Sequence, residues 1–356
     1  MRSRLRMGVM GGTMNIMTSS VGRRATGWAH LRCVHRDAAM HAYVGAYALA
    51  GFIIAISVGV PQKFVPLSYV LYSLPVAVFA AVIGAGIWAL CSGEPFAALR
   101  RVGSRATHPE AIAAAMLFVS ISVHMGVFTS IKTMLPDVTA FHADAALADV
   151  DVWIHGAAPW HYTTAWIAPQ LLGILCPLYF GVWGLLLPGC LIACIFWARL
   201  RPVRNQYLWT HLLLWPLLGN VTAALGMSAG PVFYGLVTGD TARFAGLVQY
   251  LSHYEPLAQG TAFLWHTYSS GQPGVAGGIS AFPSMHLANA TMFVMLASRI
   301  SRTLLATALV FLMLVLLCSV HLGWHYAVDG YFSIAATMLL WTAVGRILRV
   351  AERRTA

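Results

Sequence analysis

Charge is what this chain of 356 residues is short of: Asp, Glu, Lys and Arg together make up 9% of it. A soluble domain usually carries about 25%, so a water-facing globular fold is excluded. Lysine is nearly absent, with only Lys63 and Lys132. The six cysteines (Cys33, Cys91, Cys176, Cys190, Cys194, Cys318) all fall in apolar runs or on the arginine-rich side, which excludes a secreted disulfide framework. The first 27 residues lack the apolar core and cleavage site of a signal peptide, and read as a flexible basic tail. There is no internal repeat and no low-complexity segment.

What is present is hydrophobic length. Apolar residues make up 59% of the chain, in runs near the 20 residues or so that a bilayer crossing needs. The sequence predicts an all-α polytopic bundle of about eight transmembrane helices: 42–60, 67–91, 111–131, 169–198, 206–227, 284–298, 303–321 and 326–345. The domain reading is a basic tail over 1–41, N-terminal helices over 42–131, a catalytic membrane unit over 132–345 and a second basic tail over 346–356. A formal charge of +11 invites a nucleic-acid reading, but its distribution opposes that. With both termini inside, every basic residue except Lys63, Lys132 and Arg243 falls on the cytoplasmic side. Of the acidic residues, only Asp37, Glu94, Glu110 and Glu352 share that side. The segment Cys91–Glu110 is read as a cytoplasmic loop, and the histidines His30, His35, His41, His108 and His211 on that side are assigned no chemistry.

The organising stretch runs from Gly277 to Gly330. It opens G-G-I-S-A-F-P-S-M-H and closes H-L-G-W-H-Y-A-V-D-G. His286 is expected at the start of the sixth span and His325 with Asp329 at the start of the eighth, on the extracytoplasmic side. Ionisable groups in a membrane span are costly and mark function. Pro283 suits a first helical position, and a helix N-terminus beside Gly277 and Gly278 makes a phosphate cradle to which Ser284 can add a donor; the same P-S-x-H string also fits a capped helix start with a satisfied histidine. His325 and Asp329 are four apart and share a helix face, so the carboxylate can orient the imidazole. His321 is placed one turn earlier on that face. Together these offer a nucleophile (His325), its orienter (Asp329) and a proton donor (His286), which suffices for phosphoryl transfer by positioning and charge. Lys132 and Arg243 are further candidates for the anion.

Two other readings remain at this point. His321, His325 and Asp329 fall at i, i+4 and i+8 and could ligate zinc with His286, which would leave Ser284 and the glycines without a role. A transport pathway is the other, although the ionisable residues cluster at one face. Upstream, Asp144, Leu147, Val150, Asp151 and Ile154 are spaced for an amphipathic helix on the membrane surface, with the acidic residues of 137–151 on its solvated face. The loop 228–283 is the longest outside segment.

The P-S-x-H and H-x-x-x-D segments resemble the phosphatidic acid phosphatase type 2 superfamily. The strings F-P-S-M-H and H-Y-A-V-D are most similar to its inositol phosphorylceramide synthase branch. K-T-M-L-P from Lys132, the series Asp144, Asp151, Pro159-Trp160, and S-A-G-P-V-F-Y from Ser228 look like bacterial members of that branch, so the resemblance covers roughly 130–340. It implies a metal-independent enzyme without cofactor, in which His325 is phosphorylated, Asp329 assists and His286 protonates the leaving group. The expected reaction is lipid phosphotransfer, with lipid phosphate hydrolysis as the alternative. The expected partners are membrane lipids (phospholipid, sphingolipid or polyprenyl phosphate) and no nucleic acid. The superfamily's Lys-x6-Arg-Pro motif is absent, and Ser319 stands where an arginine precedes the nucleophilic histidine by six. Lys132, His321 and Arg243 are the expected substitutes for those phosphate clamps, beside Ser284 and Gly278.

Overall fold

The computed structural model describes residues 18–271 and 278–355, with side chains described, with few exceptions, from Asp37 onward. Among the described residues every regular element is helical. In chain order these are α1 (Thr18–Val58), α2 (Ser68–Cys91), α3 (Pro95–Ala106), α4 (Pro109–Val138), α5 (Asp144–His155) and α6 (Pro159–Trp166). Then come α7 (Pro169–Phe196) and α8 (Ala198–Leu225). The remainder are α9 (Tyr234–Thr238), α10 (Ala245–Leu251), α11 (Glu255–Ser269), α12 (Met285–Ala297), α13 (Arg302–His321) and α14 (Ala327–Thr355).

Seven described helices are long and apolar enough to cross a membrane, and α12 is a shorter apolar helix of 13 residues. The expected sixth crossing is therefore the short one. It is packed inside the bundle, with Leu287, Ala288, Ala290 and Met292 wholly buried. A helix enclosed by other helices need not match the bilayer by itself. α7 and α8 each contain a π-helical stretch, Pro177–Val182 and Leu217–Thr222.

Four expectations change. The described parts of both basic tails are helical: α1 is unbroken from Thr18, and α14 runs to Thr355. Residues 1–17 of the N-terminal tail lie outside the described residues. The segment expected as a loop between Cys91 and Glu110 contains α3. Pro95 sits in its first turn, where a missing N–H costs nothing, and its arginines lie on a polar face. His211 does not face the cytoplasm; it is fully buried against His124. The outer loop 228–283 is largely helical, through α9, α10 and α11.

The bundle has two main cores. One joins α1, α4, α8 and α12 around Met40, Leu117, Tyr207, Leu212 and Met292, and the other joins α7, α10, α12 and α13 around Tyr179, Leu247, Leu287 and Val315. α2 stands apart, with Leu71, Val76, Phe79 and Val82 more than 60% exposed. That suits a helix whose outer surface meets lipid tails instead of protein.

Candidate active site

The C-terminal part of α4 and the N-terminal ends of α12 and α14 meet at one end of the bundle. There a cavity of ≈460 Å³ is lined by Lys132, Gly278, Ser280, His286, Trp324 and His325. Its walls continue along Met125, Phe128, Trp183, Gly184, Leu187 and Trp215 as an apolar channel between helices. The site thus has a polar head and a hydrocarbon body.

His325 sits two residues before α14, in the turn after α13. That turn is made by Ser319, whose carbonyl accepts from the amides of both Trp324 and His325 at 3.1 Å. The Nδ1 of His325 lies 3.3 Å from Asp329 Oδ2, and the same oxygen accepts from the Tyr326 amide at 3.1 Å. Asp329 is fully buried and its Oδ1 has no partner. The carboxylate therefore faces the histidine and fixes Nδ1 as its donor side, leaving Nε2 for chemistry. The contact expected from the four-residue spacing is found, but it is not made on a helix face, because His325 precedes the helix.

His286 is in the first turn of α12. Its ring is stacked on Tyr179 with centroids 4.4 Å apart, and Trp183 lies at 4.2 Å. The Trp183 indole N–H also donates to the His286 carbonyl at 3.1 Å. The ring centroids of His286 and His325 are 6.3 Å apart. Both rings line the cavity.

The other predicted residues divide. Lys132 and Gly278 do line the cavity. Gly278 has φ +85°, and an added Cβ would press on the Lys132 carbonyl at 3.1 Å, so the position favours glycine on both counts. Ser284 does not reach the cavity; it is the N-cap of α12, accepting from the Leu287 amide at 3.4 Å, and Met285 instead of Pro283 opens the helix. His321 ends α13 and does not share a face with His325, because the chain breaks between α13 and α14. Its ring nitrogens lie 3.1 Å from Tyr250 Oη and 3.1 Å from Thr163 Oγ1, away from the cavity. The i, i+4, i+8 ladder of the zinc reading is broken by the same turn. Among the described residues no group of three or more His, Cys, Asp or Glu is placed to hold a metal ion. Arg243 is also elsewhere, at 2.7 Å from Asp149 and over the Tyr234 ring.

The clearest correction concerns the acidic outer helix. Asp144 and Asp151 are not on a solvated face; both are buried, at 2% and 3% exposure. Asp151 accepts from the amides of Ala327 (2.7 Å) and Val328 (2.9 Å), the first turn of α14. Asp144 accepts from the amides of Ala229 and Gly230 at 2.9 Å each and from the Tyr326 hydroxyl at 2.8 Å. Burial pushes both carboxyls above the ordinary range, and these N–H donors oppose that shift. Two carboxylates on α5 thus hold the turn that carries His325. Gly230, at φ +93°, lets its backbone approach the Trp324 carbonyl where a Cβ would come within 2.6 Å.

Trp324 was not singled out from the sequence. Its indole N–H is buried without a partner and its side chain lines the cavity beside His325. Its adjacency to His325 was the available signal.

The class defined by this geometry is a helical membrane protein with a buried His–Asp pair facing a second histidine across a mostly apolar cavity. Residues 145–345, more than half of the chain, match the PAP2 superfamily. The chain belongs to that superfamily of phosphatases and phosphotransferases. The match extends to the superfamily and not to a branch within it. No curated protein and no solved structure matches the chain.

Proposed function

We propose that the protein is a lipid phosphotransferase working through a phosphohistidine at the extracytoplasmic membrane face. The observation that carries the reading is the convergence of His286, His325 and Lys132 on one cavity whose remainder is mostly apolar. In the first half-reaction His325 Nε2 attacks phosphorus, the P–O bond to the leaving group breaks, and His286 gives its proton to the departing oxygen. The Asp329 carboxylate holds Nδ1–H and stabilises the cationic phosphoimidazole. The Lys132 ammonium, the Trp324 indole N–H and the backbone around Gly278 surround the phosphoryl oxygens. In the second half-reaction an acceptor hydroxyl loses its proton to His286 and attacks phosphorus, the N–P bond breaks and His325 is restored. The apolar walls favour a lipid hydroxyl as acceptor, and the similarity of F-P-S-M-H and H-Y-A-V-D to the inositol phosphorylceramide synthase branch supports transfer over hydrolysis. Water in the same place would make a phosphatase. The arginine distribution supports this side of the membrane.

Purified protein in detergent, given radiolabelled lipid phosphates and quenched within a turnover, tests this. The expected result is an acid-labile, alkali-stable phosphoprotein that His325→Ala abolishes, and a new labelled lipid in place of stoichiometric free phosphate. EDTA should leave the rate unchanged. Turnover persisting in His325→Ala would overturn the phosphohistidine, and free phosphate alone would convert the assignment to a phosphatase. Activity lost in EDTA and restored by zinc would overturn the metal-free chemistry.

A further inference from the structure

At the other end of the bundle lies a second cleft of ≈370 Å³, between the α3–α4 corner and the turn joining α7 to α8. Pro109 there is about 35 Å along α4 from Lys132, at roughly 1.5 Å per residue, so the cleft is separate from the histidine cavity. Its polar lining is Arg105, His108, Glu110, Arg201 and Arg204. Ala114, Cys194 and Ile195 make an apolar back wall, and Phe196 and Trp197, each about half exposed, stand at its edge.

Arg204 is 4% exposed, and its two terminal nitrogens donate to the Asp37 carboxylate at 2.8 and 2.7 Å. Its Nε is buried with no hydrogen-bond partner. Arg201 meets Glu110 at 3.3 Å, with both side chains more than half exposed, an arrangement worth little in water. Arg105 makes no ion pair among the described residues. The cleft therefore holds one orphaned buried donor and two guanidinium groups that are weakly engaged or free, next to apolar surface at a helix end.

We infer that this cleft binds the phosphate group of an anionic phospholipid from the leaflet at the arginine-rich end. Guanidinium forks match phosphate oxygens in pairs, and basic pockets between transmembrane helices suit anionic headgroups. A phosphate seated here takes Arg105 and Arg201, draws Arg201 away from Glu110, and offers an acceptor to Arg204 Nε. The apolar back wall and the Phe196–Trp197 edge receive the glycerol and the first chain carbons, which free phosphate lacks. The site owes nothing to the catalytic reading, since no residue is shared with the histidine cavity.

The test is the thermal unfolding midpoint of the full chain in neutral detergent, titrated with phosphatidylglycerol, phosphatidylcholine or inorganic phosphate. Phosphatidylglycerol is expected to raise the midpoint saturably, at concentrations at least tenfold below those needed for phosphatidylcholine, and inorganic phosphate to do little. Arg105→Gln with Arg201→Gln should weaken the response tenfold or more. Glu110→Gln, which removes the competing carboxylate, should strengthen it, an opposite sign that misfolding cannot produce. His286→Ala should leave the response as in the parent, which separates this cleft from lipid bound at the histidines. Equal responses to the two lipids, or a response surviving the arginine changes, would overturn the proposal. Inorganic phosphate matching phosphatidylglycerol would overturn the lipid assignment.

Discussion

Two pairs of histidines sit inside this bundle at almost the same separation, 6.3 Å between ring centroids for His286 and His325 and 6.4 Å for His124 and His211. Their surroundings differ in everything else. The first pair opens onto a cavity, with a lysine in its wall and a buried carboxylate behind one ring. The second is sealed. His124 Nε2 lies 3.0 Å from the Leu212 carbonyl, His211 Nδ1 accepts from Trp215 Nε1 at 3.3 Å, and the other nitrogen of each ring has no partner. Tyr47 bonds Asn220 close by, and among the described residues no carboxylate bonds either ring. An ionisable residue in a membrane span is a hint of function, but chemistry also needs access for a substrate and a charge to stabilise the state being formed. The sealed pair has neither, and its role is to tie α4 to α8.

The largest effect that sharpens this comparison is on turnover. His325→Ala and His286→Ala should each lower it by more than about 10³-fold with an unchanged unfolding midpoint, whereas His124→Ala should lower the midpoint and spare the rate per folded molecule. If His124→Ala removed turnover without loss of fold, the distinction between the pairs would collapse. Next comes the charge behind the ring: Asp329→Asn should cost of the order of 10²-fold or more in kcat, read in the same lipid assay. Lys132→Met should cost about 10²–10³-fold, with partial recovery in Lys132→Arg; a Met variant at the parent rate would remove the lysine from the phosphate. Asp151→Ala leaves two amides of α14 uncapped, and should lower stability by about 1–3 kcal/mol and kcat together, because the turn holding His325 loses its brace. The smallest effect is expected for His211→Phe, which removes one modest hydrogen bond worth about 0.5–1.5 kcal/mol and should leave kcat alone.

The fold class and the contact between His325 and Asp329 were legible because each depends on short range. A 20-residue apolar run and a four-residue His–Asp spacing carry their geometry with them. What was not legible depends on who meets whom across the chain. Asp144 and Asp151 read as solvent-facing, since nothing local announces that amides at 229–230 and 327–328 will arrive to bond them. Arg243 looked like a free cation until Asp149 and Tyr234 were in place. His321 and His325 counted as one helix face because a run of apolar residues does not reveal the turn at Leu322–Tyr326. Ser284 was given to phosphate when the local rule, a serine before a helix, already described a cap. Trp324 was passed over because tryptophan in a membrane protein is ordinarily packing or an interfacial anchor.

The carboxylates of α5 have a further consequence for how the molecule can be divided. The superfamily match begins at residue 145, one residue after Asp144 and thirteen after Lys132. A piece cut to the matched boundaries would keep both motif histidines yet lose the cation of the cavity and one of the two braces beneath the nucleophile. A piece that keeps the cavity whole therefore has to include α4, a helix that the family signature does not reach.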